Sequence, residues 1–135
     1  MKVLLDPGAY LPERAHPGDA GLDLKSTEDA FVFAGSQRIF DTGVHVQIPP
    51  GHVGLITSKS GLMAKGITSR GTIDSGYTGS IKAVLYNHGP ESYRVRKGDK
   101  ITQLVVLPIT VEDIELVDSL EETERGPAGF GSTGR

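Results

Sequence analysis

Val44-His45-Val46-Gln47-Ile48, followed at once by Pro49-Pro50-Gly51, decides the architecture of this chain. Apolar and polar side chains alternate at period two, which sets Val44, Val46 and Ile48 on one face of a half-buried strand and His45 and Gln47 on the other. The prolines fix φ and Gly51 is free to take positive φ, so the strand must end in a turn. His88-Gly89-Pro90 repeats that punctuation. Outward from this stretch, the same criteria predict strands at residues 2–5, 21–25, 30–33, 37–41, 52–57, 67–70, 81–87, 92–95, 101–107 and 114–117. Only residues 60–65 suggest a helix, with Ser60 as its N-cap and Gly66 as its stop. So many short strands around one helical turn imply an all-β fold, an antiparallel barrel or jelly roll.

Composition narrows the class. With 135 residues the chain can build one real core but not two, so residues 1–122 are expected to form the domain and 123–135 a flexible tail. The 18 glycines and 8 prolines favour turns over long helices. The sequence contains no cysteine, which excludes disulfides, thiolate metal sites and a cysteine nucleophile. A net charge of −3 offers no broad basic surface, so nucleic acid is not expected as a partner. No apolar run approaches the length of a membrane span and the first residues carry no basic-then-apolar signal, so neither a membrane partner nor export is expected, and the cytoplasm is the expected location.

Five segments carry polar chemistry. Ala20-Gly21-Leu22-Asp23-Leu24 puts a carboxylate in an apolar strand start, where Asp23 must find a cation, backbone N–H groups or water. Capping a turn and joining a water-mediated Mg²⁺ site both meet that need. Ser58-Lys59-Ser60-Gly61-Leu62 joins a strand to the helical segment, and its amides, lysine and hydroxyls suit an anion, although Ser60 as a simple cap explains them too. Gly71-Thr72-Ile73-Asp74-Ser75-Gly76-Tyr77-Thr78-Gly79 is a hairpin-like loop in which Asp74 is either an Asx-turn residue or a general base for water, and Tyr77 either half-buried core or a platform for a sugar. Gln103 is the polar exception in the strand entered through Lys97-Gly98-Asp99-Lys100. The C-terminal Arg125-Gly126-Pro127-Ala128-Gly129-Phe130-Gly131-Ser132-Thr133-Gly134-Arg135 combines guanidinium, close-approach glycines, one ring and two hydroxyls, as a frayed tail or as a flap over a nucleotide. His16, His45, His52 and His88 lack metal-site spacing and are expected at the surface or in turns.

In this order the five segments closely resemble the motifs of the homotrimeric dUTPase family, from the first strands to the last residues. The resemblance implies a jelly-roll β-barrel with one short helix and a C-terminal tail exchanged between subunits. It also implies three shared active sites that hydrolyse dUTP to dUMP and pyrophosphate with Mg²⁺, by water attack at the α-phosphorus. Carried over residue by residue, Asp74 would deprotonate that water and touch the 3′-hydroxyl, and Tyr77 would press on the deoxyribose. Lys59, Ser60 and Gly61 would hold phosphates, with Gln103 ordering the phosphate and water region and Asp23 meeting the metal through water. Gly71, Thr72 and Ile73, with a strand position near Lys82, would read the uracil edge. Arg125 would take the γ-phosphate, Phe130 would stack on the base, and Gly131, Ser132 and Thr133 would add phosphate contacts.

The chain departs from the family pattern at several places. Lys59 stands where arginine is usual, which keeps the charge and loses the bidentate fork. Ser58 replaces a proline, Ala128 a common glycine, and Thr78 a frequent arginine. The stretch between Gly66 and Gly71 is short and lacks an asparagine that some members use near uracil. Two alternatives share the barrel: a dCTP deaminase-like enzyme, which uses a catalytic glutamate and a different tail, and a non-enzymatic dUTP-sensing regulatory protein.

Overall fold

The structure is a computed structural model and describes residues 1–134. Arg135, the last residue of the expected tail, lies outside the described residues. Eleven strands and one helical turn follow in order: β1 (Lys2–Leu5), β2 (Gly21–Lys25), β3 (Ala30–Val32), β4 (Gln37–Asp41), β5 (Val44–Gln47), β6 (His52–Thr57), α1 (Ser60–Met63), β7 (Ile67–Thr68), β8 (Arg70–Ile73), β9 (Lys82–Asn87), β10 (Tyr93–Val95) and β11 (Lys100–Pro108). All pairings are antiparallel, in four sheets ordered β1-β5, β10-β3, β2-β11-β6-β8 and β4-β9-β7. The fold is therefore all-β with one short helix, as expected, but among the described residues these ladders do not join into a continuously closed barrel.

Period-two alternation places the core. On β5 it buries Val44 and Val46, and Ile48 follows them into a cluster with Leu24, Ile56, Ile73, Ile81 and Leu104. A second cluster gathers Val32, Phe40, Ile67, Ala83, Leu85, Val95 and Ile101. Burying each such aliphatic side chain stabilises the fold by roughly 1.5–3 kcal/mol before entropy is counted.

Three expectations change. Residues 67–70 do not form one strand: the chain leaves β7, which pairs with β9, and enters β8, which pairs with β6. Buried Ser69 marks the switch. Its N–H donates to Ser58 Oγ at 2.9 Å, and the Ser58 hydroxyl donates to the Ser69 carbonyl at 3.0 Å. Ser69 Oγ lies 2.6 Å from Thr102 Oγ1, whose own proton goes to the Thr57 carbonyl. The Ser58 side chain thus completes a polar network that a proline there could not. Ser60 is also not the N-cap: Lys59 holds that place with extended backbone and no side-chain cap, while Gly66 ends the segment at φ +79°. Finally, residues 114–117 form no strand, because Ile114 and Leu116 are fully exposed and no neighbouring strand of the same chain is there to pair with them.

Candidate functional site

The four-stranded sheet brings Asp23, Lys59 and Gln103 together. Asp23 on β2 lies opposite Gln103 on β11, and Gln103 in turn lies opposite Thr57 at the end of β6, two residues before Lys59. Asp23 is 4% exposed and would be costly if unpaired. One carboxylate oxygen is paired with the Lys59 ammonium, and the other meets Lys100 Nζ at 2.9 Å. Burial pushes the Asp23 pKa up, but hydrogen bonds from Lys59 and Lys100 and their charges outweigh it and hold the carboxyl below its ordinary value. The Asp23 carboxylate correspondingly raises the pKa of Lys100, which also lies 3.6 Å from Glu13.

Gln103 donates to the Ser58 carbonyl at 3.1 Å and lies against Gly21, where an added Cβ would come within 2.1 Å of its amide oxygen. Only glycine leaves that side chain its place. Ala15, Asp19, Ala20 and Val105 complete an open cleft of about 270 Å³ over these residues. Ser60 and Gly61, in the first turn of α1, carry amides that a helix start leaves without intrahelical partners. Lys100 is the residue that motif reading missed. It lies inside a quoted segment, but nothing local says that its charge returns to Asp23.

Asp74 and Tyr77 lie elsewhere on the chain. In the β6–β8 pairing, Thr57 faces Arg70 and Gly54 faces Ile73, so Asp74 falls level with Val53. Lys59 follows β6 beyond Thr57 and Asp74 follows β8 beyond Ile73, so the two lie past opposite ends of a pairing that itself spans about 10 Å. The Tyr77 N–H donates to the Asp74 carbonyl at 3.0 Å, and its hydroxyl donates to the Ser80 carbonyl at 3.0 Å. Gly71, Thr72 and Ile73 occupy β8, an edge strand whose outward backbone groups are free to pair with a ligand. Ile73 also belongs to the core. The Lys82 ammonium is paired with Asp41, which also accepts from the Ser80 hydroxyl. These bonds hold the Asp41 pKa at about 2.

Arg125, Phe130, Gly131, Ser132 and Thr133 are exposed. Arg125 turns back on its own segment, with Nε 3.1 Å from the Ala128 carbonyl, and the Phe130 ring is fully exposed. One copy of the chain therefore presents the expected site residues in three places: the Asp23–Lys59–Gln103 cluster, the Asp74–Tyr77 loop beside edge strand β8, and the tail.

Among the described residues no three His, Cys, Asp or Glu side chains gather as a metal cage. A triphosphate-bound Mg²⁺ does not need one, because it takes one or two carboxylates, phosphate oxygens and waters. Asp23 offers one such carboxylate, but both of its oxygens face the Lys59 and Lys100 ammonium groups, so it would meet the ion only through water. Among the described residues no helix is long and apolar enough to cross a membrane.

The dUTPase family model matches residues 8–134. A deoxyuridine 5′-triphosphate nucleotidohydrolase of Nocardia farcinica is 47% identical over 96% of this chain and 82% of its own length. The protein of the same name from Clostridium acetobutylicum is 43% identical over 96% of this chain and 92% of its own. Among solved structures, a mutant dUTPase of Staphylococcus bacteriophage 80alpha with dUpNHpp superposes with a TM-score of 0.92 at 33% identity, covering 99% of this chain and 98% of that one. A mutant dUTPase from phage phi11 of S. aureus, described with a structural Mg(II) ion, gives a TM-score of 0.82 at 31% identity over 90% and 98% of the two chains.

Proposed function

This chain belongs to the dUTPase family, and on that premise we propose that it hydrolyses dUTP to dUMP and pyrophosphate in sites shared between copies of itself, as a homotrimer working in the cytoplasm. The observation that carries the shared site is the separation of Asp74 from Lys59 along the β6–β8 pairing. A base and a phosphate clamp past opposite ends of that pairing, more than about 10 Å apart, do not meet on one α-phosphorus within one chain, but two copies can bring them together. The same reading gives the tail its purpose. Arg125 bonds only the Ala128 carbonyl of its own segment and Phe130 is fully exposed, so both are available to another copy, as is the exposed stretch 114–117.

In the assembled site Asp74 accepts the proton of the attacking water and positions it for the α-phosphorus. Tyr77 packs on the deoxyribose, and the outward backbone of β8 at Gly71, Thr72 and Ile73 meets the uracil edge. Uracil offers N3–H and O4 where cytosine offers an acceptor and an amino donor, so one fixed backbone pattern selects on the order of 10⁴-fold between them. Lys59, the Ser60 hydroxyl and the Gly61 amide hold phosphates, with Gln103 ordering the same region. Arg125 clamps the γ-phosphate under the closed tail while Phe130 stacks on the base and Gly131, Ser132 and Thr133 add hydrogen bonds. Asp23 would hold Mg²⁺ through water, and the ion would supply charge neutralisation to the bound triphosphate. Positioning and electrostatics of this kind suffice for phosphoryl chemistry without a covalent nucleophile.

Pyrophosphate release measured across dUTP, dTTP, dCTP and UTP, with and without Mg²⁺, tests the proposal. Strong release from dUTP alone is expected. Ammonia from dCTP would point to the deaminase alternative, and tight dUTP binding without pyrophosphate to the regulatory one.

A further inference from the structure

The loop between β8 and β9 carries Asp74 and Tyr77; its last residue, Ile81, is buried and hydrogen-bonded to Thr42 and Val44, and two side-chain contacts tie the stretch before it to the rest of the chain. One is the Ser80 hydroxyl on Asp41. The other is His45 on β5, whose Nδ1 lies 2.8 Å from the Thr78 carbonyl and whose Nε2 lies 3.1 Å from the Asp6 carboxylate. Both ring nitrogens thus face oxygens that can only accept. A neutral imidazole has a single N–H and can satisfy one of them, whereas imidazolium satisfies both. Asp6 in turn is held through its own N–H to the Gly43 carbonyl at 2.8 Å, so the anchor is rooted in backbone.

We propose that His45 is a positioning residue for the active-site loop: its imidazolium clamps the Thr78 carbonyl to Asp6, keeping Asp74 and Tyr77 in their working place, and the clamp loosens when the ring loses a proton. The proposal rests on the reading that Asp74 and Tyr77 act on the nucleotide. Three further charges surround the ring. Asp41, beside the loop, favours its protonation; Lys82 is occupied by Asp41; and Lys2, on the neighbouring strand β1, lines the same cleft. The hydrogen bond to Thr78, then that to Asp6, raises the His45 pKa above its ordinary 6.5 against a smaller effect of burial. With the pKa raised, the clamp is intact below the ordinary value and is lost as pH climbs through the raised one. Asp41 stays ionised throughout this range, so the Ser80 anchor does not follow it.

The test uses the full chain and its His45→Gln, His45→Arg and Asp6→Asn variants between pH 6 and 9. Hydrogen exchange of the amides at 74–80, corrected for intrinsic rates, is read beside kcat and KM for dUTP. In the wild type, loop protection and kcat/KM relative to His45→Gln are both expected to fall by about threefold to tenfold as pH rises, the scale of one partly exposed hydrogen bond. His45→Arg, permanently charged, should restore protection and remove the pH step. Asp6→Asn should move the step to lower pH, which decides the matter even if His45→Gln does not fold. Pyrophosphate release with a pH-independent ratio and unchanged loop exchange overturns the clamp alone. No pyrophosphate release by the wild type at any pH overturns the dUTPase reading, and the proposal with it.

Discussion

Asp74 is exposed and is bonded in its loop through its own carbonyl, to the Tyr77 N–H, so replacing its side chain should leave the fold intact. Asp74→Asn is expected to retain dUTP binding and lose at least about 10²-fold in kcat, the usual scale for a positioned base. Turnover near the wild-type value would remove Asp74 from that role. Asp41 shows a different dependence on charge. Its pKa, lowered to about 2 from 3.8 by Lys82, Ser80 and the Gly43 amide, favours the native state above about pH 4, and that contribution fades as pH falls toward 2. The carboxylate is half exposed, so the effect is modest. Urea unfolding from pH 5 to 2.5 should show a steeper acid loss in the wild type than in Asp41→Asn; parallel curves would contradict it.

At the scale of elements, the tail and the strands separate cleanly. Both core clusters are built from residues before 107, and among the described residues the tail from Arg125 onward bonds only within itself and to Thr123 just before it. Truncation before Arg125 is therefore expected to leave thermal stability nearly unchanged while dUTP turnover drops to a trace. A truncated chain that works at full rate would show that no flap is needed. Strands with strict alternation were legible in the sequence: β5 follows its pattern residue by residue, and β1, β2, β4 and β6 fall where apolar periodicity and turn residues put them. The break at Ser69 was not, because it depends on hydroxyls of Ser58 and Thr102 brought in from other strands. Residues 114–117, Ile114-Glu115-Leu116-Val117, read as a strand for a sound local reason, since they form a short β-prone, mostly apolar run. A strand also needs a neighbour, and a single copy of the chain has none to offer there.

At the scale of the whole molecule, the residues of the expected site were legible as motifs while their mutual placement was not. Asp23 signalled its need for a cation by its apolar surroundings, yet that Lys100 shares the task with Lys59 emerges only from the β2–β11 register. The same limit hides the separation of Asp74 from Lys59, since spacing along a chain says nothing about opposite ends of a strand pairing. On the proposed reading, that separation makes the site a property of the assembly. Mixed assemblies test it most directly: Lys59→Ala and Asp74→Asn, each nearly inactive alone, are unfolded together, refolded as a mixture and assayed for pyrophosphate release from dUTP. Sites pairing the intact Lys59 of one copy with the intact Asp74 of another should form in about one quarter of positions, restoring a comparable share of wild-type turnover. Activity no greater than the sum of the two separate variants would place both residues in one chain's site and contradict the account.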